Sequence, residues 1–313
     1  MSETQTAVVG AGAIGKGWAI VFAQAGYRVS VWDPDPDTLR AVPDVIAAEL
    51  AELARQGLVR EEPARIQARI RLAASLAEVV RGADHVQENG PETLASRRQT
   101  LAEIDALAEP GAVLASSTSG MPPSSFTAEL PGRARCLVAH PANPPSLLPL
   151  VELCPAPWTD PAILERTQRL MTRAGRQIAT MRREADGFIL NRLQGALLAE
   201  AFRLVADGVV DPDEVDTVMK HGLGRRWSFM GPFETVDLNA PGGIADFCTR
   251  YGALYEALQT QMPPRRWDAD LVGRVAAARR ADLHEAEIAI RQAWRDRRLM
   301  ALAVHLREQP DPK

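Results

Sequence analysis

Short apolar runs alternate with longer helical patterns through the first half of the chain. Thr6–Val9, Arg28–Trp32, Ile70–Ala73, Ala112–Ser116 and Ala134–Ala139 are brief and mostly apolar, and Asp84–Glu88 is an equally brief run centred on Val86; these are the predicted strands. Between most of them apolar residues recur at helical spacing, as in Ile14 to Gln24 and Leu94 to Leu107. Such alternation predicts an α/β fold built on a parallel sheet covered by helices. The stretch from Thr38 to Arg69 is longer than one crossover needs. Val45, Ala48, Leu50 and Leu53 give it one helix, Gly57 breaks it and Pro63 opens another, so a helical hairpin is expected near 38–69.

From Asp186 the pattern changes. Phe188, Leu190, Leu193, Leu197, Leu198, Ala201, Phe202 and Val205 recur at three- and four-residue steps, predicting a long, deeply packed helix. Asp213–His221 and Leu271–Leu302 also read as helical, with no further strand pattern. The expected domains are therefore 1–185, α/β, and 186–313, all-α. A chain of 313 residues fits two domains at ~150 residues each.

Composition narrows the function classes. The chain has 36 Lys+Arg against 40 Asp+Glu, a formal charge of −4, which argues against a basic nucleic-acid binder. No apolar run reaches the ~18 residues of a membrane helix. Met1 to Thr6 is polar and runs straight into a strand, leaving no room for a signal peptide. Cys136, Cys154 and Cys248 show no CxxC spacing, and neither a disulfide framework nor a metal site is expected. A reduced, cytoplasmic protein is the default. Lysine occurs only at Lys16, Lys220 and Lys313, with arginine elsewhere, which reads as codon bias. The tail from Gln309 to Lys313 is polar and expected to fray.

Gly10-Ala11-Gly12-Ala13-Ile14-Gly15 follows a strand and opens a helix. In that context the pattern predicts a dinucleotide-binding turn of the Rossmann type, with a doubly wound sheet. Gly10 permits the tight turn, Gly12 admits a pyrophosphate and Gly15 allows close helix–strand packing. Helix N–H groups at Ala13 and Ile14 would face the phosphates. Asp33 ends the second strand eighteen residues beyond Gly15, where an acid accepts hydrogen bonds from the adenosine ribose and repels a 2′-phosphate. Pro34-Asp35-Pro36-Asp37 is acidic too. NAD is the expected cofactor.

His140 closes an apolar strand, where ligands bind in such sheets. Glu152, twelve residues on, is a lone carboxylate in the apolar stretch Leu147–Leu153 and needs a partner. A carboxylate on one ring nitrogen would fix the tautomer and leave the other to take a hydroxyl proton. Taken singly His140 reads as structural. As a pair with Glu152 it reads equally as a catalytic base. His85, His221, His284 and His305 read as structural or surface residues.

Several motifs resemble one family. They are the glycine turn, Gln87-Glu88-Asn89-Gly90-Pro91-Glu92, Ser116-Ser117-Thr118-Ser119, His140-Pro141-Ala142-Asn143-Pro144-Pro145, Pro149–Leu153 and Gly187–Leu193. Gly222–Gly224, Met230–Glu234 and Trp294–Asp296 continue the resemblance. From Ala7 to about Leu306 the chain resembles the 3-hydroxyacyl-CoA dehydrogenase superfamily, most closely its L-gulonate 3-dehydrogenase and lambda-crystallin branch. The resemblance implies His140 as catalytic base, Glu152 as its orienting acid, and Ser119 and Asn191 at the reacting oxygen and substrate. It implies Ser117, Asn143, Glu92 and Arg97 near the cofactor, the family usually having lysine at the last. On residue type alone Ser119 reads as a turn cap and Asn191 as a partner for buried backbone. The resemblance also implies a homodimer packed through the second domain.

The substrate expectation rests on two segments. The hairpin 38–69 has no lysine and its arginines lie among acids, which argues against CoA. Arg226, beside Trp227, stands where the gulonate and carnitine branches keep an Arg–aromatic pair, and a guanidinium there can hold a small carboxylate. On composition alone it reads equally as an interface arginine. Ser146-Leu147 and Gly90 depart from the gulonate pattern toward smaller side chains. The expected partner is thus a small hydroxy acid, L-gulonate-like. Acyl-CoA or L-carnitine is the alternative, and a non-catalytic crystallin-like role is set against the intact catalytic set.

Overall fold

The structure, a computed structural model, describes residues 4–309. The chain forms two compact units. One contains residues up to Arg192 and those from Asp296 on, and the other spans Leu193–Arg295. The first holds β1 (Gln5–Val9), α1 (Ala13–Gln24), β2 (Arg28–Trp32), α2 (Pro36–Arg55), α3 (Pro63–Gln67), β3 (Ile70–Leu72), α4 (Leu76–Val80) and β4 (His85–Glu88). It continues with α5 (Leu94–Leu107), β5 (Val113–Ser116), α6 (Ser124–Thr127), β6 (Cys136–Pro141), β7 (Leu150–Pro155), α7 (Pro161–Arg173) and β8 (Gln177–Thr180). α8 (Leu190–Ala206) leads into the second unit, with α9 (Pro212–Val218), a π-helical turn at Met219–Leu223 and α10 (Gly224–Trp227). α11 (Pro232–Asp237), α12 (Gly243–Thr260) and α13 (Ala269–Asp282) follow, and α14 (Ile288–Glu308) returns to the first unit.

The eight strands lie in the order β3-β2-β1-β4-β5-β6-β7-β8. All neighbours are parallel except β6 and β7, which run antiparallel. Alternate strand residues feed two cores. Val8, Val31, Ala115, Ala139 and Leu153 pack on one face with α1 and α2, whereas Ala7, Val9, Val86, Leu114 and Val138 pack on the other. Burial on both faces is why these strands read as continuous apolar runs. The connection order reverses between β1 and β4, the switch point at which ligands bind such sheets.

The hairpin insert forms as α2 and α3. Asp35 caps α2 through the N–H groups of Asp37 and Thr38, and Gly57 follows its end at φ +67°, a conformation that suits glycine. Other elements depart from expectation. β7, α7 and β8 were not anticipated, and the sheet has two more strands than the sequence pattern suggests. The compact units divide at 192/193, a few residues beyond the change of pattern at 186, and the residues from Asp296 on belong with the first unit. The long helix begins at Leu190 and its stripe is shallow in the single chain. Leu193 is 60% exposed and only Arg203 and Val205 are buried. The helical reading of 271–302 is broken at Leu283, between α13 and α14. Of the polar tail, all but Gln309 lies outside the described residues. Among the described residues no helix is long and apolar enough to cross a membrane.

Candidate active site

The β6–β7 hairpin explains the twelve-residue spacing of the histidine and the glutamate. In its antiparallel register His140 stands directly opposite Glu152, which brings the two side chains together across the ladder. Nδ1 of His140 lies 2.8 Å from Oε2 of Glu152, and both residues are buried. The other carboxylate oxygen, Oε1, accepts the N–H groups of Ile189 (2.8 Å) and Leu190 (2.9 Å). These are free donors at the start of α8. Burial pushes the Glu152 carboxyl up, but the hydrogen bonds from His140, Leu190 and Ile189 outweigh it and hold the group below the usual carboxylate range. An ionised Glu152 fixes the proton of His140 on Nδ1 and leaves Nε2 with a lone pair. The pair can therefore accept a proton.

One short turn assembles this site. Gly187 (φ +73°) and Phe188 (φ +51°) are both left-handed, and Phe188 is strained there, being neither glycine nor asparagine. Five consecutive residues then make five separate attachments. Gly187 donates its N–H to Gly120. The Phe188 ring packs 5.4 Å from the His140 ring. Ile189 and Leu190 bind Glu152, and the Asn191 amide donates to the Ser119 carbonyl. The helical spacing placed Phe188 on the α8 stripe. It lies instead in this turn, fully buried in the first unit's core.

Ser119 has a second attachment, through its N–H. Glu92 accepts the Ser119 N–H (3.0 Å) and the Thr118 hydroxyl. Arg97 holds Glu92 in place through Nη2 (3.0 Å). Arg97 itself is 1% exposed, with its Nη1 on Glu88 and Ser116. Arg97 thus supports Glu92 from beneath and has no surface to offer a cofactor. Glu88, equally buried, was not anticipated. The signal was present as a carboxylate closing an otherwise buried strand, a place where a charge requires a partner.

At the switch point the glycine turn has the geometry its sequence implies. Gly10 (φ +92°) donates to the Trp32 carbonyl, and a Cβ there would sit 2.8 Å from the Asn89 oxygen. A Cβ on Gly15 would meet the Gly10 oxygen at 1.9 Å, so helix and turn touch at that point. A Cβ on Gly12 would enter open space, directly before Ala13 and Ile14 at the head of α1. That space suits a pyrophosphate facing helix N–H groups. Asp33 accepts the Ala11 N–H (2.6 Å), placing the ribose-binding acid against the same turn. The residues present fit a dinucleotide. Gly17 extends the motif, for a Cβ there would strike Pro145 at 2.8 Å, so the loop after His140 rests on α1.

Ser117 is placed differently from expectation. It is buried, its hydroxyl donates to Asn89, and it accepts from Trp18 and Gln87. A hydroxyl has one donor and two acceptor positions, so this side chain has none left for a cofactor. Asn143 is exposed on the loop after β6. In the second unit Arg226 lies on α10, just after the π-helical turn, half-buried. Among the described residues its guanidinium makes no hydrogen bond or ion pair.

Comparison with known proteins agrees with this geometry. The family description "3-hydroxyacyl-CoA dehydrogenase, NAD binding domain" matches residues 5–185, and its C-terminal domain matches residues 187–282. A lambda-crystallin homolog of Bos taurus is 43% identical over 95% of this chain and 94% of its own. An L-carnitine dehydrogenase of Pseudomonas putida is 36% identical over 96% and 94%. Among solved structures, an NAD+-dependent 5-formyl-3-hydroxy-2-methylpyridine 4-carboxylic acid 5-dehydrogenase superposes with a TM-score of 0.85. It is 25% identical and the match covers 98% of this chain and 99% of that one. With both domain descriptions matched in order, the chain belongs to the 3-hydroxyacyl-CoA dehydrogenase family and is an NAD-dependent dehydrogenase.

Proposed function

We propose that this dehydrogenase oxidises the 3-hydroxyl of a small 3-hydroxy acid, L-gulonate-like, to the 3-keto acid. The observation that carries the reaction is the opposed His140–Glu152 pair. Nε2 of His140 takes the hydroxyl proton, and Glu152 balances the charge that then develops on the ring. Glu92 and Asn191 both anchor the Ser119 backbone, which supports a role for its hydroxyl in hydrogen-bonding the reacting oxygen. Gly10, Gly12 and Gly15 with Asp33 hold NAD, which supplies the hydride acceptor when bound.

The substrate class rests on Arg226, a half-buried guanidinium that no acid among the described residues pairs with. A substrate carboxylate supplies the missing partner. The L-carnitine dehydrogenase relatives support this class, since carnitine is itself a 3-hydroxy acid with a free carboxylate. NADH absorbance with L-gulonate, L-carnitine, 3-hydroxybutyrate and 3-hydroxybutyryl-CoA tests it. A free acid should give the highest kcat/KM. Arg226→Met should raise its KM by ~10- to 150-fold, the equivalent of ~1.5–3 kcal/mol for a charged hydrogen bond. A thioester outperforming every free acid, or an unchanged KM, would assign the chain to acyl-CoA chemistry instead.

The exposed apolar residues of the second unit, among them Phe233 (77%) and Leu238 (68%), support a homodimer through this domain. Light scattering at micromolar concentration should give twice the chain mass, and a monomer mass refutes it.

A further inference from the structure

A cationic cavity lies in the first unit, lined by residues other than those of the catalytic pair and the glycine turn. It encloses about 250 Å³, below the ~300–1,000 Å³ of sites for drug-sized ligands, so its occupant is small. The end of α1 (Gln24), the turn between α2 and α3 (Arg60, Glu61) and the end of α7 with the turn after it (Arg173, Arg176) line it, with Ser146 from the loop after His140. Three arginines therefore line one cavity, Arg60 from one turn, Arg173 from the last position of α7 and Arg176 from the turn after it.

None of the three is neutralised by the protein. Among the described residues Arg60 and Arg173 make no ion pair or side-chain hydrogen bond. Arg176 donates only to backbone carbonyls, Nε to Ala174 (3.1 Å) and Nη1 to Pro145 (2.8 Å) and Leu148 (3.4 Å). Its Nη2 has no protein partner. Burial pushes the Arg176 guanidinium down to about 10, the mark of a charge removed from water without a counterion. The acid lining the cavity, Glu61, is already matched, both of its oxygens being held by Arg69 at 2.7 and 2.8 Å. The Ser146 hydroxyl is turned to Glu49. The cavity thus carries an uncompensated positive charge.

We infer that this cavity binds the phosphoryl group of a small phosphate, free or esterified. A phosphoryl group offers three charged oxygens, enough for three guanidinium forks, whereas a carboxylate offers two. Binding also bears on the catalytic loop. Arg176 grips Pro145 and Leu148, which flank Ser146, and Pro145 rests on Gly17 of α1.

The test is calorimetric titration of the full chain with saturating NADH, so that the dinucleotide phosphate site is filled. Ionic strength is held constant, since exposed charges are screened. Inorganic phosphate, glycerol 3-phosphate and malonate are the probes. For each, the affinity compared is that of the component lost in the Arg60→Ser, Arg173→Ser double variant, because malonate is itself a small carboxylate that the proposed Arg226 site can hold. One of the two phosphates should bind saturably and more tightly than malonate, and whichever is tighter identifies the source as free or esterified. The double variant Arg60→Ser, Arg173→Ser should weaken it at least tenfold while leaving NADH affinity unchanged. Both side chains are exposed and unpaired, so their loss leaves the fold intact. No saturable phosphate binding, malonate binding as tightly as either phosphate, or unchanged affinity in the double variant would each overturn the inference.

Discussion

Replacing Glu152 by glutamine changes almost nothing in shape and should nevertheless disable the base. The carboxylate serves two sets of donors, with two backbone N–H groups on Oε1 and His140 Nδ1 on Oε2. An amide has only one oxygen. Placed on Ile189 and Leu190, it turns the NH2 group toward Nδ1, which must then carry the lone pair. The proton moves to Nε2, and the nitrogen that should take the substrate proton is already protonated. The reverse amide orientation restores the tautomer but abandons two backbone donors, at about 1 kcal/mol each or more, and faces them with an NH2 group. That is a penalty of ~2–3 kcal/mol. Loss of the charge-assisted bond to the imidazolium adds ~1.5–3 kcal/mol. The sum, ~3.5–6 kcal/mol, corresponds to a fall in kcat of roughly 300- to 25,000-fold at 1.36 kcal/mol per decade. Initial rates of NADH formation measure it, with cofactor affinity from fluorescence as the control. If the variant binds NAD normally and keeps more than a tenth of wild-type kcat, the tautomer argument is wrong.

Burial, against the hydrogen bond that the ring donates to the Gln87 amide oxygen, holds His85 down at about 4. The unfolded chain therefore takes up a proton below pH 6.5 that the folded chain refuses until about pH 4. Stability should fall by ~3 kcal/mol across that window and be flat above it with respect to this group. Urea unfolding at several pH values should show the fall in the wild type and a flatter profile in His85→Asn, and an equal slope in both refutes the assignment. Gly15→Ala should lower Tm and abolish NAD binding, because its Cβ has nowhere to go. Gly12→Ala should keep the wild-type Tm yet weaken NAD by ~10-fold or more by filling the open space before α1. Loss of Tm in the second variant would contradict that reading. Asp33→Ala should reduce the preference for NADH over NADPH in fluorescence titration, and tighter NADPH binding by the unaltered chain would refute the role of Asp33.

What the sequence disclosed depended on whether a feature lives in side-chain identity or in backbone placement. β2 was legible at its true limits because Val29 and Val31 alternate with Arg28, Ser30 and Trp32 and the segment is bounded by Gly26 and Pro34. β7 was not, since Leu147–Leu153 is an apolar run that fits either a helix or a strand. β8 offers only Ile178 and Ala179 as apolar residues, too little to register. The glycines and Asp33 were legible because their chemistry is local. Ser117 belongs to a recognisable motif and Arg97 follows from the family resemblance, yet neither says which way a side chain faces, and both are buried. The partners of Glu152 Oε1 were invisible because they are main-chain groups that any residue would supply. Phe188 fits a helical period, and only the preceding Gly187 hinted that the chain bends there.

The turn at 187–191 sets where this protein can be recombined with its relatives. Its five attachments are made by neighbouring residues, so inserting or deleting one residue there shifts every attachment together. Grafts of the second unit should therefore join after Arg192 and again before Asp296, where the compact units divide, and leave the whole turn with the sheet unit. A graft made at residue 186, where the sequence pattern changes, would import a foreign turn and misplace the base even if both domains fold.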